Sequence, residues 1–143
     1  MHPKIVVVDG DSLRRALLAT FLHQQGYEHL ELFAHSQDAF EYVRSIWTDL
    51  IITDYHMREY TGVQLIRRIS RYRPDVPAIL VAGSGIRIPA NNHFVVVRRD
   101  VSDYHERLIS HINLGLRKSC YGYAVSGANC GKIRHTESAA VLS

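Results

Sequence analysis

Apolar residues gather in five short runs: Ile5-Val6-Val7-Val8, Leu30-Glu31-Leu32-Phe33, Leu50-Ile51-Ile52-Thr53, Ala78-Ile79-Leu80-Val81 and Phe94-Val95-Val96-Val97. Four of them are unbroken rather than alternating, which is the habit of strands covered on both faces in a parallel sheet. Only the run at 30–33 alternates and reads as an edge. Helical spacing fills most of the intervals. Leu13, Leu17, Leu18, Phe21 and Leu22 follow Asp11 or Ser12 as N-cap and stop at Gly26. Ser36 is placed to cap a second helix carrying Ala39, Phe40, Val43, Ile46 and Trp47 inward. Thr61 is placed to cap a third with Val63, Ile66 and Ile69, ended by Arg73-Pro74. Asp100 precedes a last helix with Tyr104, Leu108, Ile112 and Leu116 on one side. Strands alternating with helices build right-handed crossovers, and so an α/β fold: a doubly wound five-stranded parallel sheet with helices on both faces.

Two stretches break the pattern. Between the fourth and fifth strands Gly83, Gly85 and Pro89 oppose any helix longer than about one turn, so the fourth helix is expected to be shortened or absent. From Lys118 the chain turns to Gly, Ser and Ala with little periodicity. The expected organisation is one domain over residues 1–117 and a flexible C-terminal extension over 118–143.

Composition narrows the classes. A chain of 143 residues, 46% hydrophobic and 22% charged, suits one packed core rather than two large domains or a disordered chain. A net charge of +3 is too mild to demand a nucleic-acid partner. Arg67, Arg68, Arg71 and Arg73 read as the solvated face of an amphipathic helix, and no base-reading module follows them. No apolar run reaches the ~20 residues of a membrane span, and residues 1–4 lack a signal-peptide core, so a cytoplasmic protein without membrane contact is expected. Cys120 and Cys130 are too few for a zinc site or a disulfide framework.

The candidate chemistry lies at strand ends. Asp9 follows the first strand, with Asp11 two residues on, and Asp54 closes the third. Taken singly, Asp9 and Asp11 could be helix caps and Asp54 a turn residue. If the first and third strands are neighbours, as the flavodoxin-like order 2-1-3-4-5 requires, the three carboxylates converge in one crevice beyond the carboxyl ends of the sheet. Such a cluster suits Mg²⁺, a hard cation that takes oxygen ligands.

Lys4-Ile5-Val6-Val7-Val8-Asp9-Gly10-Asp11, then Asp49-Leu50-Ile51-Ile52-Thr53-Asp54-Tyr55-His56-Met57 with Gly62-Val63 following, resembles the receiver domain of bacterial two-component response regulators. The likeness covers about residues 4 to 112. It implies that Asp54 accepts a phosphoryl group from a histidine kinase or phosphotransfer protein. It further implies that Asp9, Asp54 and the backbone carbonyl of His56 hold Mg²⁺, with Asp11 as the displaced remainder of an acidic pair. The departures imply a degraded site. Gly10 falls where the second acidic residue belongs, Ala82 where a Ser or Thr ends the fourth strand, and Val97-Arg98 or Arg98-Arg99 where the family has Lys-Pro. Lost hydroxyl and ammonium contacts, typically ~1.5–3 kcal/mol each for hydrogen bonds to a charge, would remove most of a switching free energy of ~1–3 kcal/mol. The expected function is therefore an atypical receiver in a phosphorelay, not an enzyme, with Mg²⁺ weakly bound or absent. A phosphorylation-independent pseudo-receiver is the alternative within the same fold.

The connection between the fourth and fifth strands is about two helical turns shorter than the family's. A protein partner or second copy is accordingly expected on the altered face of strand four, strand five and the last helix, with the C-terminal extension as another occupant. A different class also matches: Val6-Val7-Val8-Asp9-Gly10-Asp11 looks like the first motif of haloacid-dehalogenase-type phosphatases, with Asp9 as nucleophile. No later lysine and acidic pair stand in register for it.

Overall fold

The computed structural model describes residues 2–91 and 93–125, with the backbone alone over 119–125. Five strands, β1 (Lys4–Val8), β2 (His29–Phe33), β3 (Leu50–Asp54), β4 (Ala78–Ala82) and β5 (Val95–Arg98), form one sheet in the order β2-β1-β3-β4-β5. Every pairing is parallel, and Val8 stands beside Thr53 in the register of β1 and β3. This is the expected flavodoxin-like arrangement. Strand alternation divides the core. Ile5, Val7, Leu50, Ile52, Ile79 and Val81 face helices α1 (Ser12–Gln24) and α4 (Tyr104–Val125). Val6, Val8, Ile51 and Leu80 face α2 (Ser36–Ser45) and α3 (Gly62–Tyr72). β1, β3 and β4 are covered on both faces, which explains their unbroken apolar runs. β2 is the edge the alternation foretold. β5 is the opposite edge, which its run of valines concealed, and Val95 is left 37% exposed.

Helix ends follow local hydrogen bonding. Asp11 caps α1, its carboxylate accepting the Arg14 N–H at 2.9 Å. Gly26, at φ 94°, turns the chain back so that the Tyr27 N–H reaches the Leu22 carbonyl at 3.0 Å. Thr61 and Gln64 form a reciprocal capping box on α3. Three expected features are corrected. His35, not Ser36, stands at the N-cap of α2, because the Ser36 hydroxyl donates to the Tyr60 carbonyl at 2.9 Å instead. Ile46 and Trp47 are not inward-facing: α2 stops at Ser45, and the two are 42% and 45% exposed. Asp100 does not cap the last helix. Asp103 directly precedes α4, its carbonyl accepting the Arg107 N–H at 3.0 Å and its carboxylate the Arg107 Nε at 2.8 Å.

No helix joins β4 to β5 among the described residues. The connection is held instead by Arg98, whose Nη1 donates to the carbonyls of Gly83 (2.9 Å) and Ile86 (2.8 Å). Ile88 and Phe94 pack against the α2/α3 side of the core, and β4 stays wholly buried. On this side of the sheet the large apolar side chain left exposed is Val95, at the edge of β5. α4 continues past residue 117 to Val125. Residues 126–143, including most of the extension named as another occupant of that face, lie outside the described residues. Among the described residues, no helix is long and apolar enough to cross a membrane.

Candidate functional site

The carboxyl ends of β1 and β3 lie side by side, and each hands an aspartate to the same crevice. Asp9 is 6% exposed and Asp54 4%. Two buried carboxylates this close require counter-charge, because desolvation penalises each anion and each repels the other. Two arginines supply it. Arg14, in the first turn of α1, grips Asp9 in a fork, Nε to Oδ2 at 3.1 Å and Nη2 to Oδ1 at 3.0 Å. The same Nη2 lies 3.6 Å from Oδ2 of Asp54. Arg99, one residue past β5, forms an ion pair with Oδ1 of Asp54. Asp9, Arg14, Asp54 and Arg99 thus alternate in sign.

Backbone groups complete the seat. The Asp11 N–H donates to Oδ1 of Asp9 at 2.9 Å, and the His56 N–H donates to Oδ2 of Asp54 at 3.0 Å. Arg15 Nη1 donates to the Asp9 carbonyl at 2.6 Å. The hydrogen bond and charge of Asp9 raise the Arg14 guanidinium above its ordinary, already strongly basic value, so it is a fixed cation. A cavity of about 170 Å³ opens here, lined by Asp9, Arg14, Leu17, Asp54, Arg99 and Tyr104. Burial raises the Tyr104 phenol above its ordinary pKa of 10.0, so the wall it forms is neutral.

Asp9 and Asp54 come together as read from the sequence. Asp11 lies at the exposed margin: its carboxylate serves the α1 cap and lies 3.8 Å from Nη1 of Arg14, and the Arg14 N–H holds it below its ordinary pKa of 3.8. Gly10 brings no oxygen ligand, and a Cβ there would meet only the Ala34 carbonyl at 3.7 Å. Mg²⁺ demands octahedral oxygen coordination at about 2.0–2.1 Å. As the side chains stand, they do not fit it: all four carboxylate oxygens of Asp9 and Asp54 already accept from N–H donors. Among the described residues, no three His, Cys, Asp or Glu side chains group to hold a metal ion.

Two residues escaped the sequence reading. Arg14 is ordinary by type and position; its signal was that it falls in the first turn of the helix leaving the Asp9 strand end. Arg99 falls, in one of the two registers, only where the family has proline; the sequence places the basic residue at Arg98. Arg98 pairs with Ala82 and turns to the connecting loop, so its neighbour reaches Asp54.

A family model described as the response regulator receiver domain matches residues 5–94. The chain belongs to this family. Among relatives of this receiver domain, chemotaxis protein CheY1 of Helicobacter pylori is 30% identical over 86 residues, 57% of this chain and 68% of CheY1. Phosphate regulon transcriptional regulatory protein PhoB of Pseudomonas aeruginosa is 31% identical over 83 residues, again 57% of this chain but 36% of PhoB. The crystal structure of a response regulator receiver domain protein from Clostridium thermocellum superposes with a TM-score of 0.72 at 22% identity, covering 81% of this chain and 95% of that one. That likeness speaks to the fold. The family match ends at Phe94, so Arg99 lies beyond it.

Proposed function

We propose that this receiver domain accepts a phosphoryl group at Asp54 from a histidine kinase or phosphotransfer protein and acts on a protein partner. The observation that carries the reading is the pairing of Asp54 with Arg99. A carboxylate at the end of β3 is held against a guanidinium whose planar fork suits phosphoryl oxygens as well as carboxylate. In the transfer the donor's phosphorus–nitrogen bond breaks and a bond from phosphorus to an Asp54 oxygen forms. Membership of the receiver family weighs against a phosphatase reading with Asp9 as nucleophile.

Reaction at Asp54 should be slow, since its carboxylate is nearly buried and must loosen two ion pairs. The same observation favours a second reading, a pseudo-receiver that binds its partner without modification. The output face in either case is β4, β5 and α4, where the short connection reshapes what a partner meets. Incubation with acetyl phosphate, followed by intact mass and peptide mapping, tests the assignment. One phosphoryl group on Asp54, lost in Asp54→Ala, is the expected result. No label at saturating donor establishes the pseudo-receiver, and label on Asp9 overturns both readings.

A further inference from the structure

We propose that Arg14 is the resident cation of the acidic crevice, a covalently attached guanidinium that holds Asp9 and Asp54 together in place of a divalent metal ion. The inference rests on the crevice being the receiver's site and not on whether Asp54 is phosphorylated. Three independent features of the crevice point the same way. The first is occupancy of lone pairs: Arg14 donates one hydrogen bond to each oxygen of Asp9 and lies 3.6 Å from Asp54, so one side chain bridges the two strand ends.

The second is charge. The carboxylates of Asp9, Asp11 and Asp54 are matched by the guanidiniums of Arg14, Arg15 and Arg99, leaving a balanced crevice with no surplus of negative charge to draw in a divalent ion. The third is access. The Arg14 side chain is 41% exposed and that of Arg99 31%, whereas those of Asp9 and Asp54 are 8% and 3% exposed, so the solvent-facing charges of the crevice are the guanidiniums. An ion entering from solvent would have to displace a cation tethered to the first turn of α1. That turn is itself fixed by the Asp11 cap and by Arg15 on the Asp9 carbonyl.

Gly10 completes the pattern. The position has room for a side chain, yet it carries none, so nothing opposes Arg14 for Asp9. Restoring a carboxylate by Gly10→Asp should therefore recruit metal poorly while Arg14 is present and well once it is gone.

The test is binding of Mn²⁺, a paramagnetic substitute for Mg²⁺, to the full chain, followed by electron paramagnetic resonance of the free ion and by thermal shift with Mg²⁺. The wild type should show no saturable binding at millimolar Mn²⁺ and no Mg²⁺-dependent rise in Tm. Arg14→Gln should bind roughly tenfold more tightly or better, one charge-assisted contact no longer competing. Arg14→Gln with Gly10→Asp should bind tighter still, whereas Gly10→Asp alone should gain less than in the Arg14→Gln background. Arg14→Lys, which keeps the charge, should stay metal-poor. Arg107→Ala, on the exposed side of α4, should match the wild type. Submillimolar binding by the wild type, or no gain in Arg14→Gln, overturns the proposal; the wild-type titration alone suffices should a variant not fold. Labelling by acetyl phosphate is scored separately: an unlabelled Asp54 sinks the acceptor assignment and leaves the Mn²⁺ result standing.

Discussion

Replacing Gly62 by alanine tests how tightly the fold clamps the acceptor strand. A Cβ on Gly62 would run into the backbone carbonyl oxygen of Asp54, and it would come within 2.7 Å of Cδ1 of Leu80, which is fully buried. Neither neighbour gives way easily. The Asp54 carbonyl is part of β3 and accepts the Thr53 hydroxyl at 3.1 Å, and the Gly62 N–H is itself tied to the Tyr55 carbonyl at 2.9 Å. Overpacking a closed core typically costs about 1–3 kcal/mol, and a clash with backbone belongs at the upper end. Against it stands at most about 1 kcal/mol gained from alanine's lower unfolded-state entropy and better helix propensity. The expected net loss is about 2 kcal/mol, roughly a thirtyfold fall in the folded-to-unfolded ratio.

Urea unfolding followed by far-ultraviolet circular dichroism would measure it. Gly115→Ala is the matched control. There the Cβ meets Cδ1 of Leu50 at 2.7 Å and Cβ of Pro77 at 3.3 Å, side-chain atoms only. The residue also lies within α4, where alanine recovers about 0.8–1 kcal/mol of propensity. Gly115→Ala should lose half as much or less. If Gly62→Ala unfolds within about 0.5 kcal/mol of the wild type, a range typical of surface changes, the close seating of α3 against the Asp54 carbonyl is refuted.

Arg98→Ala removes both clasps on the carbonyls of Gly83 and Ile86 and should cost about 1–2 kcal/mol, the net worth of two partly solvated charge-assisted hydrogen bonds. Hydrogen exchange should accelerate over residues 83–94 while β1 and β3 stay protected; uniform loss of protection would contradict a local clasp. Acid sensitivity follows from Asp11, Asp100 and Asp103, held below the ordinary carboxylate value of 3.8 chiefly by the Arg14 N–H, the Ser84 hydroxyl and the Arg107 side chain. A lowered folded-state pKa gives stability that is complete above pH 3.8 and drains away as pH falls through the lowered values. Asp11→Asn, which keeps a good N-cap, should leave neutral-pH stability nearly unchanged and flatten the decline measured by urea midpoints below pH 4.

The strands were legible because burial on both faces leaves no room for polar residues, and three of the five runs, those of β1, β3 and β4, show it. β5 fooled the eye: its valines resemble a central strand, but one side of it has no neighbour, and only the order of strands in space reveals that. Helix ends were less legible because a cap is decided by where a side chain's hydrogen bond goes. Ser36 has the composition of a cap and spends its hydroxyl on Tyr60. At the site, Asp9 and Asp54 could be read from position alone, since anything at the carboxyl end of adjacent parallel strands meets its neighbour. Their counter-ions could not. Arg14 is one of many arginines, and the choice between Arg98 and Arg99 depends on a single residue of register, which sends successive side chains to opposite faces.

The alternation of sign along Asp9, Arg14, Asp54 and Arg99 has a kinetic consequence. Separated opposite charges at contact distance produce a field that dies away much faster than that of a lone ion, and well within a Debye length of about 8 Å at physiological salt. A crevice of this kind cannot hail an approaching molecule from a distance or raise its encounter rate by long-range steering. Discrimination therefore falls to short-range fit once two surfaces have already touched, and changes in ionic strength should leave that step almost unaltered.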